Sequence, residues 1–307
     1  MPHRLPNFFL IGAPKSGTTS LYDYLRQHPS VFMPDVKEPR YMAYADAPPP
    51  MNGPGDKEAN REAVYTRAEY EALFAEAEGT AARGEASVNY LYSDTAPARI
   101  HDLVPDAQLF AVLRNPIERA YSHYLHLLRS GREPLDSFGA ALDAEERRRE
   151  EGWEWSWHYQ AVGYYHQQVR RYLEHFDRDQ LTIYLFDDFT DDPMGVTQDI
   201  YRQLGVDPSF EPDTTVRRRT TGVPLSNRFQ QFLYNPDNPL RRLSRYVLPE
   251  AVRDRWLTRL KNANLRKPPL SDDVRARLAE AFHDDVHRLE RLLDRDLSHW
   301  LAPDATP

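Results

Sequence analysis

The 307-residue sequence contains no cysteine, which excludes a disulfide scaffold and any zinc site built on thiolates. It has no run of about 18 apolar residues, so no membrane-spanning helix is expected. The opening stretch MPHRLPNFFLIGAPK has too short an apolar run for a secretion signal, and no small-residue cleavage site follows it. Positive charge is not in excess: 39 Lys plus Arg against 47 Asp plus Glu give a net charge of -8, which argues against general nucleic-acid binding. What is present is an ordinary globular balance, 40% hydrophobic and 12% aromatic, too rich in rings for a disordered chain. The expectation is a soluble, cytoplasmic globular protein.

The charge is unevenly spread. Between Pro239 and Pro269 nine Lys and Arg residues face only Glu250 and Asp254, so this segment is +7 and the remainder -15. It reads either as a solvated pair of helices or as a surface for an anionic ligand or a membrane face.

Short unbroken apolar runs predict strands buried on both faces, as in a parallel sheet. They occur at Asn7 to Ile11, Leu109 to Leu113 and Leu181 to Phe186, with shorter strands expected at Val31 to Met33 and Glu85 to Tyr92. Helical patterns lie between them, from Leu21 to His28, at about Tyr65 to Ala77, and from Pro116 through Leu128. Asn115-Pro116-Ile117-Glu118 reads as a capping box with proline in the first turn. The last helix is expected over Asp272 to Arg295, with Val274, Leu278, Phe282, Val286, Leu289 and Leu293 as its buried stripe. Residues 44 to 60, rich in Pro and Gly, read as a long loop of the kind that forms lids or binding loops or stays disordered. Strands alternating with helices imply an α/β fold: a P-loop-like parallel sheet flanked by helices, with a C-terminal helical extension.

The first strand runs into Gly12-Ala13-Pro14-Lys15-Ser16-Gly17-Thr18-Thr19-Ser20, and a helix follows. A strand, a Gly-containing turn and a helix make an anion site, because amides at a helix start are unpaired and the dipole favours negative charge there. Gly12 and Gly17 have Walker spacing, but Thr18 and Thr19 stand where Lys and Ser/Thr should follow, and the lysine sits inside the loop at Lys15. An ATP- and magnesium-dependent enzyme also needs an Asp ending a buried strand. The strand at 109–113 ends in Arg114 instead, whereas the strand at 181–186 leads into Asp187-Asp188. Those two are either metal ligands of a P-loop kinase or residues flanking the next turn. A nucleotide-binding protein without catalysis is a third reading.

FFLIGAPKSGTTSLYDYLRQHPSV resembles the 5′-phosphosulfate loop of sulfotransferases that use 3′-phosphoadenosine 5′-phosphosulfate (PAPS), and LFAVLRNPIERAYSHYLH resembles their 3′-phosphate segment. KEPRYM is similar to the motif that carries the catalytic glutamate in the branch with heparan sulfate sulfotransferases and many bacterial enzymes. GEASVNYL and the tail RDLSHWL resemble further blocks of that branch, in the same order, from residue 8 to residue 301. The resemblance implies a single sulfotransferase domain over 1–307, with a core at about 5–210 and the helical extension at about 225–300. It implies PAPS as donor, 3′-phosphoadenosine 5′-phosphate (PAP) as product and no metal. The acceptor would be a hydroxyl or amine of a carbohydrate, lipid or small metabolite.

On that resemblance Lys15 stabilises the leaving oxygen. Ser16, Gly17, Thr18, Thr19 and Ser20 hold the 5′-phosphate, and Arg114 and Ser122 bind the 3′-phosphate. Glu38 is the general base. Arg217, Arg218 and Arg219, before Gly222, stand loosely where the family has a second basic phosphate contact, with Arg218 and Arg219 carried as cofactor contacts. Arg266 or Lys267 resembles another basic contact. Arg40 occupies a position that is often aromatic or His in relatives, and Ser87 one that is Lys in some glycosaminoglycan enzymes. Trp153, Trp155 and Trp157 either stack on an acceptor or pack in the core. His123 and His126 flank the helix that carries Ser122. His283 and His287 have zinc-helix spacing without its glutamate.

Overall fold

The structure, a computed structural model, describes residues 5–215 and 268–302 together with the backbone pairing of 223–224 and 265–266. Arg217, Arg218, Arg219 and Lys267 lie outside the described residues, and so does all but the last two residues of the basic segment 239–269, apart from the backbone of 265–266.

Among the described residues, the core is a five-stranded sheet of β1 (Phe8–Gly12), β2 (Val31–Phe32), β3 (Ala82–Ala86), β4 (Gln108–Leu113) and β5 (Leu181–Leu185), in the order β2-β3-β1-β4-β5. Every pairing is parallel. The apolar run of β1 is buried along its whole length, as a central parallel strand covered on both faces must be. Ten helices follow the strands in turn: α1 (Thr18–Leu25), α2 (Tyr41–Tyr44), α3 (Asp56–Ala59), α4 (Arg67–Ala72), α5 (Ala96–Leu103), α6 (Pro116–Arg129), α7 (Phe138–Asp143), α8 (Glu145–Glu150), α9 (Tyr165–Leu173) and α10 (Phe186–Asp191). Two more complete the described helices, α11 (Pro193–Gln203) and α12 (Asp272–Leu293).

One face of the sheet packs on α1 and α11 through Phe8, Leu10, Leu21, Leu25, Phe110 and Ile200. The other face holds a larger core with Phe9, Leu109, Ile117, Tyr165 and Phe282. Within α12, Leu278, Phe282, Val286 and Leu289 are buried as the stripe predicted, while Val274 and Leu293 are only partly covered. The tail motif serves packing: Trp300 is buried against Tyr165, and its carbonyl accepts a 2.9 Å hydrogen bond from Asn115 Nδ2. This bond ties the end of the chain to the start of α6.

Three elements differ from the sequence reading. The third strand lies at Ala82–Ala86, before most of the expected span. From Ser87 onward the backbone turns (Tyr90 N–H donates to Ser87 O), so Val88, Tyr90 and Leu91 reach the core outside β3, with the Leu91 amide donating to Ile11 O of β1 at 2.9 Å. Helix α4 covers only Arg67–Ala72, because the following residues close three-residue turns, Phe74 N–H to Glu71 O and Ala75 N–H to Ala72 O. The long loop at 44–60 contains a short helix, α3.

Candidate active site

Asn115 caps α6: its Oδ1 accepts from the amides of Ile117 (2.9 Å) and Glu118 (3.3 Å), a cap that stabilises a helix by about 1 kcal/mol. Glu118 does not close the reciprocal half of a capping box. It pairs with Arg275 at 2.8 Å and lies 3.7 Å from Arg114. The cap nonetheless aims α6 from the end of β4 back across the loop after β1.

That loop opens α1 with Gly17 at φ 81° and no side-chain cap, so the first amides of the helix are left for another partner. Glycine is required there on two counts. The positive φ disfavours a side chain, and a Cβ would come within 2.8 Å of the Phe189 ring. Lys15 precedes it at φ 66°, an uncommon conformation for a residue with a side chain. Arg114 Nη1 donates to the Lys15 carbonyl at 3.1 Å and its guanidinium lies 4.8 Å from the Phe186 ring centre, which fixes loop and arginine together.

These residues surround a cavity of about 1030 Å³. Of the predicted residues, Lys15, Gly17, Thr18, Thr19, Ser20, Glu38, Arg114 and Ser122 all line it. Ser16 does not; it is fully buried beneath the loop, with its hydroxyl unpartnered. Ser122 is 1% exposed and lines the cavity, and its buried Oγ has no protein partner. A buried hydroxyl without a protein partner is uncommon and leaves a donor and an acceptor for a water or a ligand atom. No carboxylate lies within ion-pair distance of Lys15 among the described residues. Burial, then repulsion from Arg129 and Arg114, lowers its ammonium pKa to about 8.

Glu38 follows β2 and reaches the cavity as predicted, held by its amide donating to Ala86 O at 2.9 Å. Its Oε1 accepts from Lys37 Nζ at 2.9 Å and its Oε2 from Arg40 Nη2 at 3.0 Å. Burial would raise this carboxyl, but the two cations outweigh it and hold the pKa down at about 2. Arg40 also donates to Asn60 Oδ1 and sits 5.8 Å from the Trp155 ring centre. Beneath this turn lies Glu85, fully buried, accepting from Ser87 Oγ (2.5 Å), Tyr90 OH (2.8 Å) and Tyr70 OH (3.0 Å). Ser87 Oγ in turn accepts from the Arg40 amide at 3.0 Å, so Glu85 supports the backbone that presents Glu38.

Sequence reasoning missed part of the wall. His123 and His126 do not flank the helix of Ser122 but lie within it. His126 and Arg129 line the cavity with Ser122, at positions i, i+4 and i+7 of α6, so the face was legible once Ser122 was placed. Burial, then Lys15, lowers the His126 pKa to about 3, so the imidazole is neutral. Arg132 was missed as well; it bridges buried Asp56 (2.6 Å) and Glu154 (3.0 Å). Asp56 also accepts from Trp157 Nε1 at 2.7 Å and from the amides of Gly53 and Glu154. The segment 44–60 is thus pinned, and Pro54, Gly55, Glu58 and Ala59 form one side of the cavity. Of the tryptophans, Trp157 is core, Trp153 is partly buried and Trp155 lines the cavity. Asp188 is ion-paired with Arg295 at 2.9 Å and Asp187 lies 3.7 Å from His299; both sit in the first turn of α10, which follows β5 directly with no turn to flank. The rings of His283 and His287 touch each other on the outer side of α12.

Residues 6–212 match the sulfotransferase family, and the chain belongs to that family. A crystal structure of a sulfotransferase from Alicyclobacillus acidocaldarius superposes with a TM-score of 0.76 at 35% identity, covering 97% of this chain and 99% of that one. The human bifunctional heparan sulfate N-deacetylase/N-sulfotransferase 3 is 30% identical over 213 residues, 67% of this chain and 23% of that protein. Rat carbohydrate sulfotransferase 15 is 28% identical over 164 residues, 43% of this chain and 29% of that protein. The chain spans about a quarter of the length of these curated relatives. No described helix is long and apolar enough to cross a membrane.

Proposed function

We propose that this protein transfers a sulfuryl group from PAPS to a hydroxyl or amine of a carbohydrate-type acceptor and releases PAP, with 1–307 acting as one catalytic domain. The observation that carries the reading is the convergence of the β1 loop, Arg114 and the unpartnered Ser122 hydroxyl on one cavity. The residues fit the donor. Thr18, Thr19 and Ser20 at the open end of α1 would hold its 5′-phosphate, and Arg114 and Ser122 its 3′-phosphate. Bound there, PAPS supplies the sulfuryl group and a phosphate leaving group.

The chain's own residues supply charge and position. Lys15, cationic at neutral pH and free of a carboxylate partner among the described residues, offsets negative charge at the mouth of the loop. Glu38, ionised, takes the proton of the attacking acceptor on a carboxylate oxygen, once that acceptor displaces Lys37 or Arg40 from it. The carbohydrate-type acceptor rests on the likeness to enzymes named for heparan sulfate and carbohydrate sulfation.

Melting curves with PAP, ADP and ADP plus magnesium test the donor half, since a ligand stabilises the fold it binds. PAP is expected to give the largest shift; preference for magnesium-ADP favours the P-loop kinase instead. Glu38→Gln is expected to leave PAP affinity intact and to lower turnover by about 10²-fold or more, the scale of a general base. Unchanged turnover removes Glu38 from the mechanism. A panel of acceptors with labelled PAPS identifies the acceptor.

A further inference from the structure

A second cavity, of about 560 Å³, shares Glu154 and Trp155 with the wall of the first. Its size falls in the range of about 300–1,000 Å³ usual for small-molecule sites. The ring side chains of Tyr44, Tyr92, Trp153, Trp155 and Tyr164 contribute to its wall. Between them sit two buried amides, Asn89 (2% exposed) and Gln168 (3% exposed). Asn89 Oδ1 and Gln168 Oε1 have no hydrogen-bond partner. The Gln168 carbonyl is oriented from its other end, because its Nε2 donates to Val162 O at 3.1 Å. Buried acceptors of this kind are nearly always satisfied, and here two of them line one cavity.

The charges around the cavity decide what satisfies them. Asp94 is ion-paired with Arg171, and Glu154 with Arg132. Burial, then Arg149, lowers the His158 pKa to about 4, which leaves that imidazole neutral. The same wall carries donors without a protein partner, Trp155 Nε1 and Arg171 Nε. An anion would leave both carbonyl oxygens without a donor, and a cation would leave these N–H groups without an acceptor and face Arg149 and Arg171. An aliphatic chain would leave both amides unsatisfied. A ligand that donates hydroxyls at its edge and offers C–H faces to aromatic rings meets both requirements. That is the chemistry of an uncharged sugar ring.

We propose that this cavity is a saccharide site, in which sugar hydroxyls donate to Asn89 Oδ1 and Gln168 Oε1 while ring faces lie against the aromatic wall. The sugar is either a neighbouring unit of an acceptor that passes Trp155, or a separate free saccharide. The site is independent of the donor reading, and its binding is measured without turnover.

The test is a fluorescence titration of the full chain, with Trp153 and Trp155 as reporters, against neutral mono- to tetrasaccharides of glucose, galactose and N-acetylhexosamine types. A saturable change is expected with at least one of them, together with saturation transfer from aromatic protons to sugar C–H protons. Asn89→Leu and Gln168→Met are expected to weaken that binding at least tenfold while PAP affinity and melting temperature hold. A monosaccharide that binds equally with and without PAP and is never sulfated indicates a free saccharide. A KM that falls with acceptor length in the native protein, but not in the variants, indicates a neighbouring acceptor unit. No saturable signal or transfer across the panel means that the cavity holds water only and overturns the proposal. So does binding that both folded variants leave unchanged. If neither variant folds, the native titration and transfer measurement decide alone.

Discussion

Glu38 and Arg40 form an ion pair of 3.0 Å across Pro39, and both have left-handed backbone, at φ 62° and 59°. Such residues cost on the order of 1–3 kcal/mol each and persist where surrounding structure imposes them. Here the imposing contacts are the Glu38 amide on Ala86 O, the Arg40 amide on Ser87 Oγ, and Val64 N–H on Pro39 O. The strained turn presents a carboxylate already held between two cations.

From this pairing follows a pH dependence. The native Glu38 carboxyl, with a pKa of about 2, stays ionised across the working range and gives kcat/KM no acid limb of its own above about pH 4. In Arg40→Gln one of the two cations is lost and burial gains weight, so the pKa rises and an acid limb moves toward neutrality. The pH profile of kcat/KM checks this; identical acid limbs in both proteins count against Glu38 as the base.

Lys15 sets the alkaline side. With a pKa of about 8 in the free protein, it loses its charge as pH rises through 8, and PAP affinity is expected to fall over the same interval. An anion bound beside the ammonium raises its pKa, so binding at pH 9 takes up a proton. Calorimetry in buffers of different ionisation enthalpy measures that uptake. Lys15→Arg, charged at every accessible pH, is expected to bind PAP without proton uptake. Uptake that survives the substitution assigns the proton to another group.

Arg114 and Ser122 are expected to discriminate nucleotides by their 3′-phosphate. Hydrogen bonds to charged groups contribute about 1.5–3 kcal/mol each, so Ser122→Ala should weaken PAP roughly 10- to 100-fold and leave 5′-AMP nearly unaffected. Arg114→Lys keeps the charge but loses the paired N–H geometry and should act in the same direction. Comparing Kd for PAP and AMP is decisive: equal losses for both ligands remove the 3′-phosphate assignment.

Much of this site was legible because it is built from local signals. Apolar runs without alternation gave β1, β4 and β5, although β5, an edge strand, is only partly buried at Thr182, Ile183 and Tyr184, and Asn115-Pro116 fixed where α6 starts and hence where Ser122 falls. Glu85 to Tyr92 looked like a strand because its apolar residues are buried, but the burial comes from a turn, which hydrophobicity does not distinguish. The pinning of residues 44–60 was unreadable for another reason. Asp56, Arg132, Glu154 and Trp157 span 101 residues, and nothing in the local composition pairs them. The strain at Lys15, Glu38 and Arg40 was hidden too, since none of these residue types signals positive φ.

Glu85 offers a test of how the turn beneath the active site is supported. Burial raises its carboxyl pKa to about 7, even though hydrogen bonds from Ser87, Tyr90 and Tyr70 favour the anion. A carboxyl whose folded pKa exceeds its unfolded value of 4.5 contributes stability that is complete below about pH 4.5 and is lost as pH rises through 7. The loss is on the order of 3 kcal/mol across that interval. Glu85→Gln cannot ionise, so it lacks this loss. The melting-temperature gap between native protein and variant should therefore be widest near pH 5 and narrow toward pH 8. The variant should also lose turnover at constant PAP affinity, because the amide disturbs the link through Ser87 Oγ to the Arg40 amide and so the presentation of Glu38. A gap that widens with pH means the carboxyl is ionised in the folded protein well below 7. Turnover indifferent to the substitution means the turn is held by the Ala86 and Val64 contacts alone.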